Sequence, residues 1–245
     1  MARAPVAWRL ATVRESVEET ARTRTIRLEV PDWPGHVAGQ HVDVRLTAED
    51  GYQTERSYSI ASPPEDAQLA LTVERIDDGE VSPYLVDELR PGDELELRGP
   101  IGGYFAWQVA DGGPLLLLAG GSGIVPIMAM LRHRAAQGSS VDTRVLVSAR
   151  SLDDLIYRDE LAALGGDAGP AVHRTLTREQ PTGWTGLARR IDAEMLATVG
   201  PPPGAAPLVF VCGPTAFVEA AADLLVELGH RPSAIRAERF GPTGG

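Results

Sequence analysis

One stretch near the middle of the chain constrains the fold more than any other. Residues 115–131 read LLLLAGGSGIVPIMAML. Four consecutive leucines before a glycine-rich turn predict a strand buried on both faces, since the apolar run is too short to cross a membrane. Pro126 stands where the first turn of a helix should begin, because its φ is already set. The predicted strand–turn–helix unit, running on toward Ala136, is typical of a parallel sheet.

The turn of this unit is a candidate phosphate site. It consists of Gly120, Gly121, Ser122 and Gly123. Backbone N–H groups and the helix dipole favour an anion at such a turn, and a Cβ would keep phosphates away from the backbone. A tight turn that binds nothing explains the stretch equally well, so the other motifs must decide.

From Pro114 onward, strand-like and helix-like segments alternate, which predicts a parallel sheet with helices on both faces. The predicted strands are Leu115–Leu118, Thr143–Ser148, Val172–Leu176, Leu208–Val211 and Ile235–Glu238. The further helices are predicted near Leu155–Leu164, Ile191–Leu196 and Phe217–Leu228. Ser151 and Asp154 have capping-box spacing before the first of these helices.

The first part of the chain, up to about Ala110, has short strand-like runs separated by turn signals, which predicts an antiparallel β-barrel. The predicted strands are Ala7–Val13, Thr25–Val30, His41–Leu46, Ser57–Ile60, Leu69–Ile76 and Glu94–Arg98. One helix, Tyr84–Leu89, interrupts them, with Ser82 as its N-cap and Pro83 as its first residue. We therefore predict two domains, residues 1–110 and 111–245, joined by a linker at Asp111–Gly113.

Composition narrows the class of protein. The net charge of −11 disfavours binding to nucleic acid or to anionic membranes. No stretch approaches the roughly 18 apolar residues of a transmembrane helix, and the first residues lack the apolar core of a signal peptide. The single cysteine, Cys212, excludes an iron–sulphur cluster held by this chain alone, and the five histidines show no metal-site spacing. We therefore expect a cytoplasmic protein without a metal.

The RSYSIAS stretch, residues 56–62, is a candidate binding strand. Arg56 and Tyr58 share one face of the strand, and Ser57 and Ser59 share the other. A guanidinium suits phosphate and a phenol ring suits stacking on a planar group, although an ordinary exposed strand face has the same pattern. The helix start at Gly79–Pro83 offers free N–H groups for a second anion, or is a well-capped helix with nothing bound.

The glycine turn departs from the usual dinucleotide fingerprint. Gly121 and Gly123 fit its first two positions, but Pro126 replaces the third glycine. A carboxylate at the end of the next strand would bind the ribose of NAD and repel a 2′-phosphate. In this chain the next predicted strand ends near Arg150, without such a carboxylate. Arg150 and Arg178 instead offer positive charge, which favours NADP, although solvated surface arginines have the same appearance.

Two motifs lie at the ends of the last predicted strands. Cys212 is placed at the carboxyl end of a strand, where ligands bind in open α/β sheets, although a buried structural thiol is the alternative. Phe240 ends the final strand, and an exposed aromatic there requires something to cover it.

The order of these motifs resembles that of the ferredoxin–NADP reductase family. RSYS, GEVS, GPIGGYF, AGGSGIVP, VCGP and ERFG follow one another, and the resemblance covers about residues 7 to 241. In that family an N-terminal antiparallel barrel binds a flavin and a C-terminal parallel α/β domain binds a nicotinamide dinucleotide. The resemblance therefore implies a β plus α/β two-domain fold that binds FAD and NADP, with NAD as the alternative.

The resemblance also implies roles for residues in the barrel. Arg56 holds the flavin pyrophosphate, Tyr58 lies against the isoalloxazine, and Ser59 lies near its N5. Val81 and Ser82 match the helix-start residues that bind the flavin phosphates.

The implied nicotinamide site lies in the second domain. The dinucleotide turn of the family is matched by Gly121, Ser122, Gly123 and Pro126. The strand end beside the nicotinamide is matched by Cys212, Gly213 and Pro214. The segment that binds the 2′-phosphate resembles Thr177 to Gln180, which includes Arg178. Ser59, Cys212 and Glu238 would line the reacting faces. Phe240 lies near the place of the family's terminal aromatic, here with five further residues after it.

The function implied is hydride transfer between the nicotinamide and the flavin, followed by single-electron exchange with a separate acceptor. Because this chain lacks the cysteines of an iron–sulphur domain, the acceptor is expected to be a ferredoxin, a flavodoxin, a haem protein or an oxygenase subunit. The alternatives are a reductase of free flavin or small molecules, a noncatalytic flavin-holding subunit, and a nicotinamide dehydrogenase without flavin.

Overall fold

The computed structural model describes residues 6–164 and 169–240, which form two sheets. The first sheet has six antiparallel strands in the order β4-β3-β6-β1-β2-β5. Their bounds are β1 Trp8–Thr20, β2 Thr23–Glu29, β3 His41–Thr47, β4 Gln53–Ser59, β5 Leu69–Glu74 and β6 Glu94–Ile101. A bridge between Ile60 and Leu71 joins the two edges of this sheet, so it closes into the predicted barrel.

The second sheet has five parallel strands in the order β11-β10-β7-β8-β9. Its strands are β7 Leu115–Gly120, β8 Thr143–Ala149, β9 Ala171–Leu176, β10 Leu208–Pro214 and β11 Ile235–Phe240. The helices are α1 Ile124–Ala136, α2 Arg158–Ala163, α3 Ala193–Val199 and α4 Thr215–Glu227. The predicted fold class is confirmed. Within the described residues, no helix has the length and apolarity needed to span a bilayer.

The first strand is longer than predicted, because its second half is polar. The prediction ended it at Val13, yet β1 continues to Thr20 and pairs there with β2, Ser16 lying opposite Ile26. The segment RESVEET lacks the apolar alternation that marks a half-buried strand. Its conformation comes from backbone pairing with β2, which periodicity does not report.

The predicted cap at Ser82 is wrong. The helix of the barrel domain is a π-helix over Tyr84–Glu88 without a side-chain cap, and the residue preceding it is Pro83. The Ser82 hydroxyl instead accepts a hydrogen bond of 3.0 Å from the backbone N–H of Ile76. The side chain therefore fixes the loop before the helix and leaves the helix start uncapped.

Two helices of the second domain begin away from their predicted positions. Helix α2 begins at Arg158, and not near Leu155, because Tyr157 has a left-handed backbone with φ of 58° that cannot continue a helix. Ser151 and Asp154 do bond to each other, but in a turn that precedes α2. Helix α1 begins at Ile124, so proline occupies its third position.

Three apolar clusters form the interior. One fills the barrel, and a second lies on one face of the parallel sheet. The third, which we call the interdomain core, lies between the other face of that sheet and the barrel. Its members come from both parts of the chain and include Ala61, Phe105, Trp107, Ile127 and Met130. The two domains are therefore packed against each other through one continuous apolar interior.

Polar contacts reinforce this junction. Arg132 of α1 donates to the carbonyl of Ala61 at 2.7 Å, and its guanidinium lies 4.7 Å above the Tyr157 ring. The Tyr157 hydroxyl donates to Thr72 of β5, whose own hydroxyl is 2.7 Å from that of Thr25. Burial raises the pKa of Tyr157 to about 12, so its proton is retained.

Replacing Tyr157 with Phe tests this junction. Loss of one buried hydrogen bond should lower the free energy of unfolding by about 1–2 kcal/mol, measured by urea denaturation. Tyr84→Phe is the matched control, since the Tyr84 hydroxyl has no hydrogen-bond partner among the residues described. Equal losses in both variants would show that the bond to Thr72 contributes nothing.

Candidate functional site

The predicted phosphate turn lies at the carboxyl end of β7. Residues Gly121–Gly123 form a single 3₁₀ turn that leads into α1. A Cβ on Gly123 would overlap the carbonyl oxygen of Cys212, so only glycine lets the turn approach β10. Gly121 has φ of +55°, and a Cβ there would meet no atom within 4 Å. The Gly123 side is therefore packed, and the Gly121 side is open to a ligand.

Phe217 supports the same corner from below. A Cβ on Gly120 would lie 2.8 Å from its ring, and one on Gly213 would lie 2.9 Å from it. The Phe217 ring, which α4 carries, therefore occupies the space that side chains at Gly120 and Gly213 would need. Sequence reasoning missed this residue, because nothing in its local pattern distinguishes it from other apolar helix positions.

Cys212 and Glu238 are neighbours across β10 and β11. They are paired in the parallel register, which places their side chains on the same face of the sheet. Burial raises the pKa of the Cys212 thiol, and the nearby Glu238 carboxyl raises it further. Burial also raises the pKa of Glu238 to about 7. The site therefore has a neutral thiol beside a carboxyl group that exchanges a proton near neutral pH.

Strand β4 carries the barrel half of the candidate site. Tyr58 lies opposite the buried Val42 and packs against the barrel core, and burial raises the pKa of its phenol. Ser59 lies opposite His41 at the end of β3, on the other face of the strand. The strand thus presents an aromatic ring on one face and a hydroxyl on the other.

Arg56 reaches a carboxylate that the sequence did not suggest. Its Nη2 donates to Glu80 Oε2 at 3.0 Å, and Thr54 donates to the same oxygen at 3.0 Å. Glu80 directly precedes Val81 and Ser82, so the ion pair connects β4 with the segment before the π-helix. Sequence reasoning had no signal for this pair, since an isolated glutamate in a loop resembles a solvated side chain.

The structure brings parts of both halves to one region. Ala61, two residues beyond Ser59, and Cys212 both belong to the interdomain core. The glycine turn contacts β5, and α1 is bonded to the segment after β4 through Arg132. Phe240 lies opposite Pro214 at the end of β11 and packs partly buried against the same core. Gly241, the last residue of the ERFG motif, lies outside the described residues.

The predicted 2′-phosphate residues lie at the ends of β8 and β9. The carbonyl of Arg150 accepts the backbone N–H of Arg178 at 2.9 Å, and Thr177 bonds to the carbonyl of Ala149 through its backbone and its hydroxyl. Both arginine side chains are exposed, and neither has an ion-pair partner within residues 6–164 and 169–240. The two residues are therefore neighbours through their backbones at the carboxyl edge of the sheet, and both side chains are exposed.

These groups fit two anionic dinucleotides. Gly121 leaves open space where backbone could approach a phosphate, and the Arg56 guanidinium, which is paired with Glu80, is the cation near a second one. Tyr58 offers a ring surface for a planar group. An anion at Arg56 would share that guanidinium with the Glu80 carboxylate.

Comparison with protein families matches each half of the chain. Residues 10–106 match the oxidoreductase FAD-binding domain. Residues 117–223 match the oxidoreductase NAD-binding domain.

Known proteins resemble the chain over most of its length. Ferredoxin–NADP reductase B of Sorangium cellulosum is 35% identical over 213 residues, which cover 83% of this chain and 84% of that protein. The glycine betaine monooxygenase reductase subunit of Pseudomonas aeruginosa is 34% identical over 209 residues, which cover 84% of this chain. The match spans 56% of that subunit, so the chain covers little more than half the length of this relative.

A solved structure agrees with the fold. The flavohem-like FAD/NAD binding domain of nitric oxide dioxygenase from Vibrio cholerae superposes with a TM-score of 0.84 at 26% identity. The match covers 96% of this chain and 99% of that domain.

The two glycines of the turn should respond differently to substitution. Gly123→Ala must displace the backbone of β10, and we expect it to lower the free energy of unfolding by about 3 kcal/mol. Gly121→Ala has room for its methyl group and should lose only about 1–2 kcal/mol, the cost of the left-handed backbone. Urea denaturation measures both. A greater loss in Gly121→Ala would contradict the close contact with Cys212.

Glu238→Gln should become more stable than the wild type as pH rises. The folded pKa of about 7 lies above the ordinary value of 4.5, so the wild type is fully stabilised below pH 4.5 and loses stability up to pH 7. At pH 8.5 the free energy of unfolding of the glutamine variant should exceed that of the wild type by about 1–3 kcal/mol. At pH 4.5 the two should be nearly equal. The exposed Glu219→Gln, in α4, is the control and should show no such trend.

Proposed function

The chain belongs to the ferredoxin–NADP reductase family, and from this premise we propose that it transfers hydride between NADPH and bound FAD and exchanges single electrons with a separate acceptor. One observation carries the proposal most directly. Cys212 lies beside Glu238 and against Gly123, and it belongs to the interdomain core that also contains Ala61, two residues after Ser59. When bound, the flavin supplies the redox chemistry, since it takes up electrons in a pair and releases them singly.

The residues of the barrel would bind and orient the flavin. Arg56 supplies a cation for the pyrophosphate, and the segment at Val81 and Ser82 supplies backbone donors. Tyr58 supplies a ring surface beside the isoalloxazine, and Ser59 supplies a hydroxyl near N5. Because β4 is fixed in the barrel, these groups keep one orientation.

The residues of the second domain would bind and orient the nicotinamide dinucleotide. Its phosphates would lie at Gly121, Ser122, Gly123 and Pro126, and its nicotinamide beside Cys212, Gly213 and Pro214. The neutral Cys212 thiol gives the nicotinamide an uncharged wall, and burial of this corner excludes water. Glu238, with a pKa of about 7, can hold or release a proton there. Phe240 would cover the outer end of the site.

Two free arginines support NADP as the dinucleotide. Both are exposed, and neither has an ion-pair partner in the part of the chain that the structure describes, although the net charge of the chain is −11. Arg150 and Arg178, next to Thr177, would bind the 2′-phosphate that NAD lacks. NAD remains the alternative dinucleotide.

The relatives support a role in supplying electrons to another protein. One is the reductase subunit of a monooxygenase, and another is a ferredoxin–NADP reductase. We propose a ferredoxin, a flavodoxin, a haem protein or an oxygenase subunit as acceptor, and the cytoplasm as the location.

Reduction of the bound flavin by each nucleotide tests the dinucleotide. NADPH should bleach the flavin absorbance of the purified protein at lower concentration than NADH. Arg178→Ala should raise the NADPH concentration that bleaches half of the flavin by about tenfold, which corresponds to the loss of one charge-assisted hydrogen bond. The NADH concentration that bleaches half of the flavin should change by less than about twofold. Arg231→Ala, another exposed arginine, is the control. Bleaching by NADH alone would overturn the NADP assignment, and no bleaching by either would overturn the proposed activity.

A further inference from the structure

We propose that a cavity at the outer edge of the parallel sheet binds a small planar carboxylate. The cavity has a volume of about 500 Å³ and is lined by strand β9, residues 184–187 and helix α3. We call it the edge cavity. None of the residues that line it is among those assigned above to the flavin or to the nicotinamide dinucleotide. Its volume is typical of small-molecule binding sites.

The edge cavity lies where the backbone pairing of β9 stops. Strand β9 is the last strand of its sheet, and among the described residues its outer edge pairs with backbone only at Leu187. The Leu187 N–H donates to the carbonyl of Arg174 at 3.1 Å, and the Leu187 carbonyl accepts from the N–H of Leu176 at 3.0 Å. Residues 184–186 line the cavity and make no backbone hydrogen bond to β9. The first half of the β9 edge is therefore open to a ligand.

Three backbone groups of β9 face this opening. In a parallel sheet the N–H and the carbonyl of a residue point to the same neighbour, so those of Val172 face outward with those of Arg174. The N–H of Val172, its carbonyl and the N–H of Arg174 have no hydrogen-bond partner within residues 6–164 and 169–240. An open strand edge of this kind is a template for pairing with another molecule. Two of the three groups are donors, which suits the oxygens of a carboxylate.

Arg174 adds a positive charge that the described part of the chain does not neutralise. Its guanidinium forms no hydrogen bond or ion pair there, and its Nε is buried. The other arginine at the cavity, Arg189, is paired with Glu194, with Nη2 3.1 Å from Oε2. Burial, and after it the Arg144 guanidinium, lower the pKa of His173, so this ring is neutral at pH 7. The edge cavity thus has one uncompensated cation, which a monoanion would neutralise.

Apolar side chains supply a surface for the body of the ligand. Trp184 is partly buried, and its Nε1 donates to the Leu187 carbonyl at 3.0 Å, which fixes the indole. Met195 and Val199 are buried and line the cavity from α3. A fixed aromatic ring can stack on another planar ring. An aromatic ring with one carboxylate therefore matches the apolar lining, the backbone donors and the single cation.

Titration of the purified protein with benzoate tests the edge cavity. Isothermal titration calorimetry should show saturable binding with a Kd of about 0.1–1 mM, as expected for a ligand of so few atoms. Benzamide has the same shape without the charge and should bind at least about tenfold more weakly. In the ¹⁵N NMR spectrum, the amide signals of Val172 and Arg174 should shift most on addition of benzoate.

Arg174→Gln should weaken benzoate binding by about tenfold, which corresponds to the loss of one charge-assisted hydrogen bond, and change benzamide binding by less than about twofold. Arg190→Gln is the matched control, because Arg190 is an exposed arginine of the same segment that does not line the cavity. It should alter neither affinity. Thr198→Phe provides a second variant, since a larger side chain at this exposed position of α3 should fill the cavity and weaken both ligands. Thermal unfolding of each variant shows whether it is folded before titration.

Three results would rule out the edge cavity as a carboxylate site. They are the absence of saturable benzoate binding, equal affinity for benzoate and benzamide, and amide shifts centred on Arg150 and Arg178. The last result would locate the anion at the proposed 2′-phosphate residues instead. Unchanged benzoate affinity in folded Arg174→Gln and Thr198→Phe would have the same consequence. None of these results bears on the proposed hydride transfer, because the cavity shares no residue with that site.

Discussion

The interdomain core holds the two halves of the candidate site together. Ala61 and Phe105 of the barrel pack in the same buried cluster as Cys212 and α1, so part of the apolar surface of each half is buried against the other half. Arg132 and Tyr157 add polar bonds across this junction. Reaction between two bound ring systems requires them to be held within contact distance. A fixed junction between their two supports meets that requirement without a separate positioning element.

Burial also determines the chemistry available at the corner of β10. A low-dielectric surrounding disfavours charge, so both the Cys212 thiol and the Glu238 carboxyl have raised pKa values. The thiol stays neutral, and the carboxyl lies near the point of half ionisation at neutral pH. The glycine that brings the turn against Cys212 contributes to the same burial. Packing and proton affinity at this site therefore have one cause.

Predictions from local sequence pattern were correct where neighbouring residues alone determine the conformation. The leucine run before AGGSG is a buried strand, because continuous apolarity and a glycine turn are both local signals. They failed where another element decided the outcome. The polar half of β1 is a strand because β2 pairs with it, and Ser82 bonds to Ile76 and leaves the helix uncapped. Tyr157 delays the start of α2 to Arg158 through a backbone angle that its residue type rarely adopts.

The sequence by itself determined the fold class and the order of the binding motifs, since apolar periodicity, turn residues and motif spacing are properties of neighbouring residues. Only the tertiary structure decided that Gly123 is required by contact with β10, that Glu80 holds Arg56, and that Tyr157 bonds to Thr72. The last two contacts join residues 24 and 85 positions apart in the chain. Such pairs form because distant strands and helices fold to the same place, and no local pattern records which side chains will meet there.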